Sequence, residues 1–313
     1  MKRTLICLLL SLIFNMIYAQ NDSIEDKGTR KKVALVLSGG GARGTAHIGV
    51  LKVIEKAGIP IDIIVGTSMG SLVGGLYSIG YTANELDSIV TVQNWKSLLT
   101  DIGAKKEEEP TIGEITKNTK DNIKLGGLVK GVNILNLLTQ LTSEYSGNID
   151  FNKLPIKFAC VATDLSKFEE YVFHKGPLPT AMRASMSIPA FFSPVFYNDK
   201  ILVDGGLRNN FPADIAKEMG ADIIIGVSVQ NAEQPSASDF KSVTGIVNGI
   251  INSICKNKYE ENWQLTDIGI RVDLEEYKTT SFSKKAIRSM VESGEQAAYE
   301  HWEELLKLKE SIK

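Results

Sequence analysis

The sequence predicts a three-layer α/β/α sandwich with a mostly parallel central sheet, and three observations carry that expectation. Short apolar runs rich in Val and Ile alternate along the chain with stretches of helical periodicity, the pattern of strands buried under helices on both faces. Glycine-rich turns follow several of these runs, at the ends of strands where α/β sheets place their sites. The 313 residues, 43% hydrophobic and 23% charged, suit a globular chain with a sizeable core.

At the amino end, Lys2 and Arg3 precede an apolar run over residues 5–17 that only Ser11 and Asn15 interrupt. Residues 1–19 read as a secretory signal peptide with cleavage at Ala19-Gln20, so the expected location is periplasmic or secreted. A polar linker over residues 20–31 follows, and one domain is expected over 32–313, with a motif core over 32–229 and a helical part over 230–313. Strands are expected at 33–37, 61–65, 158–162, 201–203, 223–229 and 268–272. Helices are expected at 46–56, 69–78, 132–142, 213–219 and, as one long terminal element, 284–309.

Two stretches stand apart. Residues 100–130 hold a charged run from Lys105 to Glu109 and many Thr, Asn and Gly, the composition of a solvated insertion, with a lid over the site as the other reading. Residues 245–254 place Ile and Val at helical spacing beside small residues, which suits a buried helix, the seam of a homodimer or a membrane-facing stripe. No internal repeat is present.

Charge and cysteine content exclude several classes. Loss of residues 1–19 removes two basic groups from 35 Lys and Arg and none of the 37 Asp and Glu, leaving 33 against 37, or −4. That balance offers no footprint for nucleic acid. Cys160 sits in an apolar strand and Cys255 is distant from it, so neither a disulfide framework nor a metal site is read from them.

The chemistry concentrates in three places. The run 61–65 ends in Gly66-Thr67-Ser68-Met69-Gly70, and a Gly-x-Ser-x-Gly turn between strand and helix exposes a serine, with Gly66 and Gly70 letting the backbones cross. The first strand ends in Ser38-Gly39-Gly40-Gly41-Ala42-Arg43-Gly44, whose backbone N–H groups can serve an oxyanion or a phosphate. Gly39-x-Gly41-x-x-Gly44 also fits the dinucleotide fingerprint, but the next strand ends in Gly66-Thr67-Ser68 where that reading wants an acid for the ribose. Third, Asp204-Gly205-Gly206 follows the strand at 201–203, and a desolvated aspartate beside a serine can act as general base.

Together these three ordered motifs resemble the patatin-like phospholipase family. The likeness extends through Ala184-Ser185-Met186-Ser187-Ile188-Pro189-Ala190-Phe191-Phe192 and Asn209-Asn210-Phe211-Pro212, and covers about residues 32–229. The resemblance implies a fold related to the α/β hydrolases, a Ser68–Asp204 dyad without a catalytic histidine, and an oxyanion hole drawn from Gly39, Gly40, Gly41, Arg43 and Gly44. It implies a phospholipid or other acyl-ester lipid as substrate, at a membrane surface, with no metal or organic cofactor. Some bacterial relatives continue into an outer-membrane barrel, and no barrel-length alternating strands follow the motifs here. The order Ser68, Asp204, His301 also matches a hydrolase triad, yet His301 lies among charges on a solvated helix face, and His47 and His174 read as packing or surface groups. A nucleotide-binding protein and a catalytically silent lipid-binding module are the two other readings.

Overall fold

The computed structural model describes residues 30–103, 129–230 and 258–312. The expected signal peptide, nearly all of the linker, residues 104–128 of the charged insertion and the apolar stretch 245–254 lie outside them. The chain divides into residues 1–31 and the unit 32–313, and the unit 32–313 holds everything below.

Its centre is an eight-stranded mixed sheet. In chain order the strands are β1 (Val33–Leu37), β2 (Ile63–Thr67), β3 (Lys157–Asp164), β4 (Glu169–Phe173), β5 (Val195–Tyr197), β6 (Lys200–Asp204), β7 (Ile223–Ser228) and β8 (Ile268–Arg271). The neighbours β8, β7, β1, β2 and β3 pair in parallel, whereas β4, β5 and β6 join antiparallel. All six expected strands are present. β2 starts two residues late because Asp62 is engaged as a clamp on β1: its N–H donates to Val33 O at 2.9 Å and its carboxylate accepts from Val33 N–H at 2.8 Å.

Strand alternation separates two cores. Val33, Leu35 and Leu37 face a large core, covered by α1 (Ala46–Ala57), α2 (Met69–Ser78), α3 (Ala83–Val92), α4 (Trp95–Thr100), α5 (Val132–Leu141) and α6 (Leu178–Ser185). Ala34 and Val36 face a smaller one with Phe211, Ala213, Ile215 and Ala216, built on α7 (Ala213–Glu218) and α8 (Tyr259–Trp263). The expected long terminal helix is two helices, α9 (Lys284–Glu300) and α10 (Trp302–Ser311), because His301 leaves helical geometry at φ −98°, ψ 12°. The bend lets Leu305 and Leu308 reach the core. α9 lies backbone to backbone on α1: a methyl group on Gly49 would strike the Val291 carbonyl, and one on Gly294 would strike that of Ala46.

One consequence of register positions the site. Residues 157–161 of β3 pair with β2, residues 162–164 pair with β6, and residues 160–164 pair with β4. β4 overlaps both other partners, so it takes the opposite edge of β3, and β2 and β6 share one edge end to end. Thr67 is level with Val161 and Asp204 with Ala162. The carboxyl ends of β2 and β6 therefore meet head-on.

Candidate active site

Ser68 follows Thr67 at that meeting point, with φ 53° and ψ −125°. An L-residue holds such a positive φ only where its surroundings over-determine it. The constraint comes from two glycines. A methyl group on Gly66 would lie 2.5 Å from Gly70 O, and one on Gly70 would lie 2.6 Å from Ser38 O. The β2 strand, the first turn of α2 and the end of β1 thus touch through bare backbone, and the serine is left at the apex. Its N–H donates to Ser185 Oγ at 2.9 Å, and Ser185 donates to Val161 O at 2.6 Å. Ser185, on α6, is a support that the serine motif alone did not single out, although it lies in the Ala184–Phe192 stretch.

Asp204 ends β6 and points at this apex. Ser68 Oγ donates to Asp204 Oδ2 at 2.7 Å, and Gly206 N–H donates to Asp204 Oδ1 at 2.8 Å. Both are buried, Ser68 at 5% and Asp204 at 7% exposure. Burial pushes the Asp204 carboxyl up to about 6, while the two hydrogen bonds pull the other way. The strand rule for parallel sheets is not what brings Asp204 here, since β6 runs antiparallel to β3; the head-on register does. Gly205 is required because a methyl group there would strike the Val161 carbonyl.

The glycine turn passes beside Ser68. Ser38 is fixed by its N–H to Val227 O at 3.1 Å, by Val229 N–H to its Oγ at 3.0 Å, and by His47 Nε2 to its carbonyl at 2.8 Å. Gly39 N–H donates to Asn210 O at 3.1 Å and Ala42 N–H to Thr279 O at 2.8 Å. Gly41 has φ 58° and a side chain there would crowd Thr279. Gly44 packs on Met69 inside the short helical turn Gly41–Thr45. Among the described residues the N–H groups of Gly40 and Gly41 meet no acceptor. So of the five expected donors, Gly39 is already engaged and the two next to it are open. The Arg43 side chain hydrogen-bonds to no described residue and its Nε is buried without a partner.

No histidine joins this group. His47 is fully buried and its burial pushes its pKa down to about 4, and His301 pairs with Glu304 at 3.1 Å. Among the described residues no cluster of three or more His, Cys, Asp or Glu could hold a metal ion, and no helix is long and apolar enough to cross a membrane. Cys160 is buried in β3, its thiol pushed up by burial. In the stretch before Asp204, Phe192 and Val195 are core residues, and Phe191 packs edge-on against Phe192 at 4.8 Å.

Comparison with known proteins gives a consistent result. The patatin-like phospholipase family profile matches residues 35–217. A patatin-like phospholipase domain-containing protein of Caenorhabditis elegans is 32% identical over 68% of this chain and 14% of its own length. An uncharacterized NTE family protein of Mycobacterium tuberculosis is 33% identical over 66% of this chain and 52% of its own. The chain thus spans about half the length of the mycobacterial relative and far less of the nematode one. The crystal structure of VipD from Legionella pneumophila has a similar fold, with a TM-score of 0.52 at 15% identity, covering 90% of this chain and 67% of that one.

Proposed function

The chain belongs to the patatin-like phospholipase family, and from that membership and the geometry of its site we propose that it is a serine hydrolase of lipid acyl esters. The observation that carries the reading is the 2.7 Å contact between a conformationally strained serine and a buried aspartate.

In this reading Asp204 takes the Ser68 proton as the oxygen attacks the ester carbonyl. Burial holds the carboxyl near 6, so it is ionised at neutral pH yet basic enough to accept a proton. The tetrahedral oxyanion receives the open N–H groups of Gly40 and Gly41, and each such donor is commonly worth about 3 kcal/mol in the transition state. Asp204 then returns the proton to the departing alcohol. Water then gives a proton to the same carboxylate as it attacks the acyl-serine, and Asp204 returns that proton to Ser68 Oγ as the fatty acid leaves. Every proton passes through Asp204, so neither histidine nor metal is needed for the balance. Arg43, whose side chain hydrogen-bonds to no described residue, is assigned to the phosphate of a phospholipid. Export, carried by residues 1–19 alone, belongs to the same proposal.

The test is fatty-acid release from phosphatidylcholine vesicles by the wild type, Ser68→Ala and Asp204→Asn. Release by the wild type alone, falling at least ~10³-fold in both variants, supports the reading. Vesicle binding without release by any of the three makes the chain a silent lipid-binding module. Nucleotide affinity dependent on Gly39–Gly44 would favour the phosphate cradle instead.

A further inference from the structure

Asn210 presents an anomaly beside this site. It is only 7% exposed, yet its side-chain amide hydrogen-bonds to no group among the described residues. A buried amide without a partner is a net cost to a fold. Its neighbour Asn209 shows the ordinary solution: Nδ2 donates to Asp214 Oδ1 at 2.8 Å and Oδ1 accepts from Asn262 Nδ2 at 3.0 Å. Nor is the Asn210 amide sealed. The fully enclosed, unpartnered side-chain atoms among the described residues are Arg43 Nε, His47 Nδ1 and Gln230 Nε2, so the Asn210 amide is reached from outside.

Its position gives the opening a meaning. A methyl group on Gly39 would strike Asn210 Oδ1, lie 3.3 Å from Asn210 Cγ and lie 3.1 Å from Ser68 Cβ. The amide and the serine therefore flank the same bare Cα. The segment is also pinned: Asn210 O accepts from Gly39 N–H at 3.1 Å, and Asn209 O accepts from Thr67 Oγ1 at 2.8 Å. The amide is thus tied by backbone to both the glycine turn and the serine elbow, the fixed placement that stabilisation of a developing charge requires.

We propose that Asn210 is a further catalytic residue, its Nδ2 donating to the ester carbonyl oxygen as that oxygen gains charge, beside Gly40 and Gly41. The inference rests on the hydrolase reading above. A primary amide suits the task because it donates without a charge and so leaves the basicity of the nearby Asp204 intact. Neither Oδ1, the amide atom nearest Gly39, nor the NH₂ group has a hydrogen-bond partner among the described residues, so the donor is uncommitted.

The test measures kcat and KM on p-nitrophenyl butyrate, the rate of fluorophosphonate labelling and the melting temperature for wild type, Asn210→Leu and Asn210→Ala. Leu keeps the branched outline with some added volume, removes the donor and puts an apolar group where a largely buried amide stood. The expected result is a loss of about 10²-fold in kcat in both variants, a matching loss in labelling rate, KM little changed, and Asn210→Leu melting no lower than wild type. Retention of wild-type kcat in either variant overturns the proposal, as does activity lost only in step with a lowered melting temperature in both. A wild type that neither hydrolyses nor labels overturns the hydrolase reading and this one with it. An active wild type with unaffected variants overturns this one alone.

Discussion

Replacing Asp204 by Asn should abolish hydrolysis and stabilise the protein at neutral pH, and the size of the gain follows from burial. Desolvation is the largest influence on this carboxyl and raises it from 3.8 to about 6, against the opposing bonds from Gly206 and Ser68. A raised acid means that the folded state holds its proton more tightly than the unfolded chain does. Below 3.8 the group is protonated in both states and contributes nothing. As pH rises from about 4 to about 6 the unfolded chain releases the proton first, so wild-type stability falls across that window. Above it the penalty is complete: a difference of 6 − 3.8, or 2.2, at 1.36 kcal/mol each, is on the order of 3 kcal/mol. Asparagine keeps the shape and carries no charge: its oxygen accepts from Gly206 N–H, and its NH₂ group faces Ser68 Oγ, which turns to accept. Urea and thermal unfolding of wild type and Asp204→Asn at pH 4 and pH 7.5 measure the gap. The variant should be more stable at pH 7.5 by on the order of 3 kcal/mol, or roughly 5 °C, with the difference shrinking to near zero at pH 4. An equal or less stable variant at pH 7.5 would refute the claim that a desolvated charge sits at this site.

Other outcomes follow from the same geometry. The acid limb of kcat/KM should titrate with an apparent pKa of about 6 as Asp204 ionises, and a rate that stays flat from pH 5 to 8 contradicts the assignment of the base. Ser185→Ala removes the acceptor for Ser68 N–H and the donor to Val161 O; it should cost about 1–2 kcal/mol of stability and lower kcat, and unchanged values in both would show the support to be idle. Gly294→Ala forces α9 away from the Ala46 carbonyl and should destabilise by roughly 2–3 kcal/mol in denaturant titration, whereas a neutral result would mean the two helices can separate freely. His301→Ala should leave ester hydrolysis unchanged, because its partner is Glu304; a large loss of kcat would restore a triad.

Much of the fold was legible because local composition and tertiary role coincide in its parallel half. Val33–Leu37 is apolar on both faces and is bounded by Lys32 and a glycine turn, so its limits are local facts. The same holds for the run into Ser68, where Gly66 and Gly70 announce backbone crossing. Thr82-x-x-Glu85 ahead of α3 is an equally local signal, a capping box that the structure contains. Of the antiparallel half, only β6 was legible as a strand. Glu169–Phe173 and Val195–Tyr197 are short or half-charged and form strands only by pairing with β3 and β6. The direction of β6 is likewise a tertiary property that no pattern within Ile201-Leu202-Val203 encodes. Hence the place of Asp204 beside Ser68 follows from the head-on register and not from the strand-end rule for parallel sheets.

Within the site, motif glycines marked the two turns, but which amide is open depends on partners far away in sequence. Gly39 is engaged by Asn210 and Ala42 by Thr279, and nothing in the glycine run itself separates them from Gly40 and Gly41. The same distance effect explains why Ser185 and Asn210 carried no individual signal: each matters through contact with Ser68 or Gly39, more than a hundred positions away. The break at His301 has a similar origin, since continuous helical periodicity runs through it and the turn toward α1 is imposed by packing.

The measurement that bears most directly on the central claim is the location of a covalent fluorophosphonate adduct. The protein is labelled, digested and read by mass spectrometry beside Ser68→Ala and Asp204→Asn. The account predicts a single adduct on the peptide containing Ser68, absent from Ser68→Ala and slowed at least ~10²-fold in Asp204→Asn. An adduct on another residue, or labelling of Asp204→Asn at the wild-type rate, would contradict it.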